Sequence, residues 1–183
     1  MINDVIKTIE SSNNPFAFRF EEQLYFQHRA IKTNLSKVLK RVKMLNQCSN
    51  ETALMIVSTS WGFFQILGIN IYGMCGYDKG IMDFLHSQDD QELVFKKFCE
   101  IQRIDLNKVE NELKNLTAFY IDIEKQAKSK IELIIELENE LTDNRNKYEN
   151  LVNFIYHYNG AKFLSDAFID YLLRMITEAK KYK

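Results

Sequence analysis

From Ile81 to Asn159 the chain contains neither glycine nor proline. These two residues are the strongest local breakers of regular structure, so the stretch reads as helix interrupted only where its apolar period slips. Five of the six glycines fall between Gly62 and Gly80, the sixth is Gly160, and Pro15 is the only proline. These breaks divide the chain into three parts. In the first, Asn13-Asn14-Pro15 separates a short leading helix from the next. Apolar residues then recur at Leu24, Phe26, Ile31, Leu35, Val38, Leu39, Val42 and Leu45. From Ile31 the steps are threes and fours opposite a charged face, which predicts an amphipathic helix. The second part, from Ala53 to Gly80, is apolar, aromatic and glycine-rich. It predicts a helix through Ala53–Thr59, a turn at Trp61-Gly62 and short helices after it, with a β-hairpin weakly signalled.

The third part carries heptads. Leu106, Val109, Leu113, Leu116, Tyr120, Ile123 and Ala127 step alternately by three and four, as do seams of packed helices. A second run holds Ile134, Leu137, Leu141, Tyr148, Leu151 and Ile155. The two registers do not join across Lys128-Ser129-Lys130, and one unbroken helix from Gln91 to Tyr156 would be about 100 Å long. A helical hairpin broken near Ser129 is the favoured reading, and an intermolecular coiled coil is the alternative. After Gly160, Phe163, Ala167, Phe168, Tyr171, Leu172, Met175 and Ile176 predict a last amphipathic helix. The expected fold class is all-α with at most a minor hairpin, in one domain over residues 1–183.

Three segments carry chemistry together: Ala17-Phe18-Arg19-Phe20-Glu21-Glu22, Ser58-Thr59-Ser60-Trp61-Gly62-Phe63-Phe64-Gln65-Ile66-Leu67-Gly68, and Tyr158-Asn159-Gly160. In these strings, and in their order, the chain resembles the N-acetylmuramidase domains of phage and bacterial endolysins, within the wider lysozyme superfamily. The middle string is the specific one; the other two are weak alone. The resemblance runs from Phe16 to about Leu113 and resumes from about Asn150 to Leu173. It includes Asp78 to Phe98, with Phe84, Leu93, Phe95 and Phe98 at apolar places, and Leu151, Phe154 and Ile155 stand where the family has Trp, Phe and Ala. Residues 116–148 read as a helical insertion. The chain departs from the family pattern at Glu22-Gln23, where Pro-His is usual, and at Ala161, where proline is usual.

What the resemblance implies is an enzyme that cleaves the β-1,4 bond between N-acetylmuramic acid and N-acetylglucosamine in peptidoglycan, with Glu21 as the catalytic acid. Such cleavage needs a proton on the leaving oxygen, and a carboxylic acid in an apolar surround suits it. Phe18 and Phe20 are the residues expected to supply that surround. Taken alone, Glu21 reads as an ordinary glutamate at a helix start. Consecutive helical residues point about 100° apart, so Glu22 is expected to be solvated. Glu51 is a candidate second carboxylate. Ser58, Ser60 and Gln65 are expected to bind substrate, although serines there also read as helix-end caps. Tyr158 and Asn159 are expected from the cleft's opposite side, and Asn159-Gly160 also reads as a helix C-cap. Trp61, Phe63 and Phe64 read as core rather than as sugar platforms. A lytic transglycosylase would use the same acid, and sequence leaves the two reactions open. The alternative class is a lysozyme-like binding or structural module, docking or oligomerising through the insertion.

The formal net charge of −1 gives no global basic field, which argues against nucleic acid as a partner and only mildly against an acidic wall polymer. A local basic face is expected at Lys32, Lys37, Lys40, Arg41 and Lys43. Cys48, Cys75 and Cys99 form no CxxC and are expected to be reduced thiols; His28, His86 and His157 are scattered. No metal or cofactor is expected, and no Ser-His-Asp arrangement is readable. Met1 to Glu10 lacks an apolar run and does not read as a signal peptide; no run is long enough to span a membrane. The expectation is synthesis in the cytoplasm and action on the cell wall after release or secretion by another route.

Overall fold

A computed structural model describes residues 1–30, 35–127 and 129–182. Ile31 and Lys32, assigned above to an amphipathic run and a basic face, and Lys128, at the expected break, lie outside the described residues. The chain divides into two compact units, one of Glu10–Ile101 and one of Met1–Ile9 with Gln102–Lys183. Helix dominates both, and among the described residues one sheet of three short strands is present. Among the described residues no helix is long and apolar enough to cross a membrane.

The unit of Glu10–Ile101 holds β1 (Phe18–Phe20), α2 (Glu22–Ala30), α3 (Ser36–Asn46), α4 (Asn50–Val57), β2 (Thr59–Trp61), β3 (Ile66–Leu67), α5 (Ile81–His86) and α6 (Gln88–Ile101). α1 (Ile2–Ser11) precedes them. The weakly signalled hairpin is present as antiparallel β2–β3, pairing Ser60 with Leu67 and Trp61 with Ile66. Strand β1 adds to its other side, pairing Phe18 with Trp61, Arg19 with Ser60 and Phe20 with Thr59. The helix expected through Thr59 ends at Val57. The Thr59 hydroxyl donates to the Met55 carbonyl (2.8 Å) while its backbone enters the ladder.

The hairpin turn depends on Gly62 and on a buried carboxamide. Gly62 has φ +74°, and a Cβ there would overlap Gln91 Oε1. Gln91 is fully buried. Its Oε1 accepts from the Phe63 N–H (2.7 Å), and its Nε2 donates to the carbonyls of Leu85 (3.2 Å) and Pro15 (3.3 Å). One side chain thus links the segment entering β1, the β2–β3 turn and the end of α5. Below it Phe64 stacks on Phe95 with centroids 4.2 Å apart, among buried Tyr72, Phe84 and Ile71. Leu93, expected at an apolar place, is exposed, because the buried face of α6 runs through Gln91, Val94, Phe95 and Phe98.

The other unit contains α7 (Leu106–Glu124), α8 (Lys130–Asp143), α9 (Glu149–Asn159) and α10 (Asp166–Ala179). The helical hairpin is present: α7 packs on α8, and Ser129 caps α8 by accepting from the Glu132 N–H (3.1 Å). Val109, Leu113 and Leu116 are buried on α7, and Leu133, Leu137 and Leu141 on α8. Leu133 takes the seam place assigned to Ile134, which is only half-buried. Glu112 of α7 receives the Leu151 N–H and the Asn150 amide (both 2.7 Å), fixing the first turn of α9.

Replacing Gln91 with leucine keeps side-chain volume but leaves one donor and two acceptors of the backbone without that partner. Each such group costs about 1–3 kcal/mol when buried. Denaturant unfolding of Gln91→Leu is expected to show a loss of at least about 3 kcal/mol; a loss below about 0.5 kcal/mol, the level of an inert surface change, would contradict this role.

Candidate functional site

Glu21 occupies the one-residue joint between β1 and α2. Its N–H donates to the Ser58 carbonyl (3.0 Å), extending the β1–β2 ladder by one bond. Its own carbonyl accepts from the Tyr25 N–H (3.0 Å), the first bond of the helix. The backbone of Glu21 is therefore held from both directions, while its side chain remains 31% exposed.

The expected apolar surround is not what the strand builds. Residues two apart in a strand share a face, so Arg19 rather than Phe18 or Phe20 lies beside Glu21. Arg19 Nε donates to Glu21 Oε1 at 2.6 Å. Phe18 and Phe20 take the other face and are 68% and 42% exposed; Phe18 lies against Trp61 and Phe20 against Tyr25. Glu22 is exposed, at the outer side of the first turn of α2.

Ser58 is fully buried at the C-terminal end of α4, with its backbone bonded to Glu21 and its hydroxyl 2.9 Å from His28 Nδ1. Ser60 is buried in the middle strand, opposite Arg19. Gln65 has φ +47° and folds back so that Nε2 donates to the Gly62 carbonyl (2.9 Å). Phe63 and Phe64 are core, and Trp61, half-buried, donates through Nε1 to the Ile56 carbonyl (2.9 Å). Tyr158 and Asn159 belong to the other unit, where they end α9. Tyr158 stacks on Phe154 with centroids 4.9 Å apart, Asn159 is exposed, and Gly160 caps the helix at φ +77°. The structure thus gathers Glu21, Ser58, Ser60 and Gln65 around one small sheet, with Tyr158 and Asn159 side by side in the other unit.

Three residues that sequence reasoning left without a role join the first group. His28 holds Ser58. Tyr25 donates its hydroxyl to the exposed Glu51, so the candidate second carboxylate already has a phenol partner. Arg19 reaches Glu21. The signal for Arg19 was present as the alternation Phe-Arg-Phe-Glu; the His28–Ser58 and Tyr25–Glu51 pairs join positions 30 and 26 apart and leave no local trace. Among the described residues, no group of three or more His, Cys, Asp or Glu could hold a metal ion.

Burial disfavours the imidazolium form of His28 and lowers its pKa from 6.5. The unfolded chain therefore takes up this proton at a higher pH than the folded chain. The resulting stability is complete above the unfolded value and is lost as pH falls through about 6.5 toward the folded value. Unfolding free energies between pH 7.5 and 5.5 are expected to fall more steeply in the wild type than in His28→Gln. Equal slopes would show that His28 is as free to protonate folded as unfolded.

No protein-family model and no solved structure matches the chain. The chain is similar to an endolysin of Enterobacteria phage PRD1, with 32% identity over 96 residues. The matched region is 52% of this chain and spans 64% of the length of that endolysin.

Proposed function

We propose that the chain degrades peptidoglycan as a lysozyme-like N-acetylmuramidase, cleaving the β-1,4 bond after N-acetylmuramic acid with Glu21 as general acid. The similarity to an endolysin supports wall degradation. The observation that carries the choice of acid is the anchoring of Glu21: a fixed backbone at a strand-to-helix joint and a carboxyl that remains accessible. A catalytic acid needs this combination, because its proton must reach the glycosidic oxygen within hydrogen-bond range.

Arg19 Nε donates to Glu21 Oε1 alone, which leaves Oε2 as the oxygen to face the glycosidic bond. At 64% exposure the arginine side chain is free to swing into solvent. Ser58 fixes the Glu21 backbone, Ser60 is buried beneath Arg19 in β2 as support for the sheet, and Gln65, half-buried in the β2–β3 turn, is the contact for the sugar. In the other unit, Tyr158 and Asn159 carry a phenol and a carboxamide, groups able to bond an N-acetyl or hydroxyl group. Whether water or the sugar's own hydroxyl completes the reaction decides between hydrolase and lytic transglycosylase, and the mass of the product separates them by one water.

Dye release from purified peptidoglycan tests the assignment. Glu21→Gln keeps the shape and removes the transferable proton. Its rate is expected to fall at least ~100-fold, in line with the ~10²–10⁴-fold contribution of a general acid, with the circular dichroism of the folded chain retained. Equal rates would remove Glu21 from the chemistry. A folded wild type without activity would favour a binding module instead.

A further inference from the structure

Helices α2, α3 and α4 line a cavity of about 460 Å³. Its charged walls are Arg29 of α2, Lys40 and Lys43 of α3, and Glu51 of α4, with Leu39 and Leu54 as apolar surface. Among the described residues, Arg29, Lys40 and Lys43 have no carboxylate partner. Three cations and one carboxylate line the same concavity, in a chain whose net charge is −1. Like charges gathered on a concave wall repel one another and raise the local concentration of anions. The volume lies within the roughly 300–1,000 Å³ of small-ligand sites and exceeds what a single inorganic oxyanion needs. The carboxylate and the two leucines also give the wall a place for a cation and for alkyl groups.

We propose that this cavity takes the acidic stem peptide that peptidoglycan carries on its muramic acid: a short peptide with two or more carboxylates and one ammonium group. This deepens the glycosidase reading and rests on it. The carboxylates would lie against Arg29, Lys40 and Lys43, the ammonium against Glu51, and the alkyl portions on Leu39 and Leu54. Position supports the match. His28 and Arg29 stand two turns along α2 from Glu21, about 10 Å at 1.5 Å per residue. His28 also bonds Ser58, which holds the Glu21 backbone. A sugar held at Glu21 can therefore reach the cavity with its peptide. The preference is for peptide-bearing glycan over stripped glycan.

Calorimetric titration at low ionic strength tests this without requiring turnover. The probes are a free stem tetrapeptide containing a diamino acid, the same peptide with its carboxylates amidated, and inorganic phosphate. The wild type is expected to bind the free tetrapeptide. Lys40→Ala/Lys43→Ala and the amidated peptide are each expected to weaken binding at least tenfold, and phosphate is not expected to displace the peptide. Absence of tetrapeptide binding, equal affinity in the double variant, or displacement by phosphate at comparable concentration would overturn the proposal. A chain that binds the peptide through these lysines but shows no dye release keeps the subsite and loses the glycosidase reading.

Discussion

The buried carboxamide of Gln91 is the interaction on which the site depends. It is fully enclosed, and its polar atoms meet backbone groups of Pro15, Phe63 and Leu85. Buried polar groups that are fully bonded specify a structure more sharply than apolar contacts, because the alternatives leave them unpaired. Here the specified feature is the approach of the Pro15 segment to the β2–β3 turn. That approach is reinforced by the Gly62 N–H, which donates to the Ala17 carbonyl at 2.8 Å. Strand β1 then pairs with β2 in one register, which sets Arg19 opposite Ser60, and strand alternation puts Arg19 and Glu21 on one face with Phe18 and Phe20 on the other.

Magnitudes separate what is fixed at Glu21 from what can move. The two backbone bonds of Glu21 belong to a strand ladder and a helix, and breaking them disrupts both elements. The Arg19–Glu21 pair joins an arginine 64% exposed to a carboxylate 31% exposed. Exposed pairs of this kind contribute about 0–1 kcal/mol. The geometry thus combines a backbone bonded on both sides with a surface ion pair that is broken at small cost. In the neighbouring cavity Arg29, Lys40 and Lys43 lack carboxylate partners among the described residues, beside a helix whose start is anchored.

The helices were largely legible, because apolar periods and capping residues are local signals. Ser129 and Gly160 end or begin helices where the pattern slips, and the hairpin of α7 and α8 follows from mismatched heptad registers. The failures have physical causes. Strand β1 is three residues long and both its phenylalanines face solvent, so no hydrophobic alternation toward a core marks it. Thr59 continued the apolar helix pattern in sequence but was taken into the ladder by its pairing with Phe20. Gln91 reads as a solvent-face residue of a helix, since only the folded chain brings Pro15 and Phe63 to it. At the candidate site, the place of Glu21 at the start of a helix was readable from the sequence. The surround was not, because an apolar neighbour in sequence lies on the opposite face of a strand.

The central claim is that this chain breaks a glycosidic bond by proton donation from Glu21, rather than an amide or peptide bond of the wall. The bonds cut can be read directly by mass spectrometry of purified peptidoglycan digested by the wild type and by Glu21→Gln. The account predicts glycan fragments ending in new reducing or anhydro-muramic ends, no new free amino groups from cut peptides, and neither change with Glu21→Gln. New amino groups without new sugar ends, or sugar ends that persist in Glu21→Gln, would contradict it.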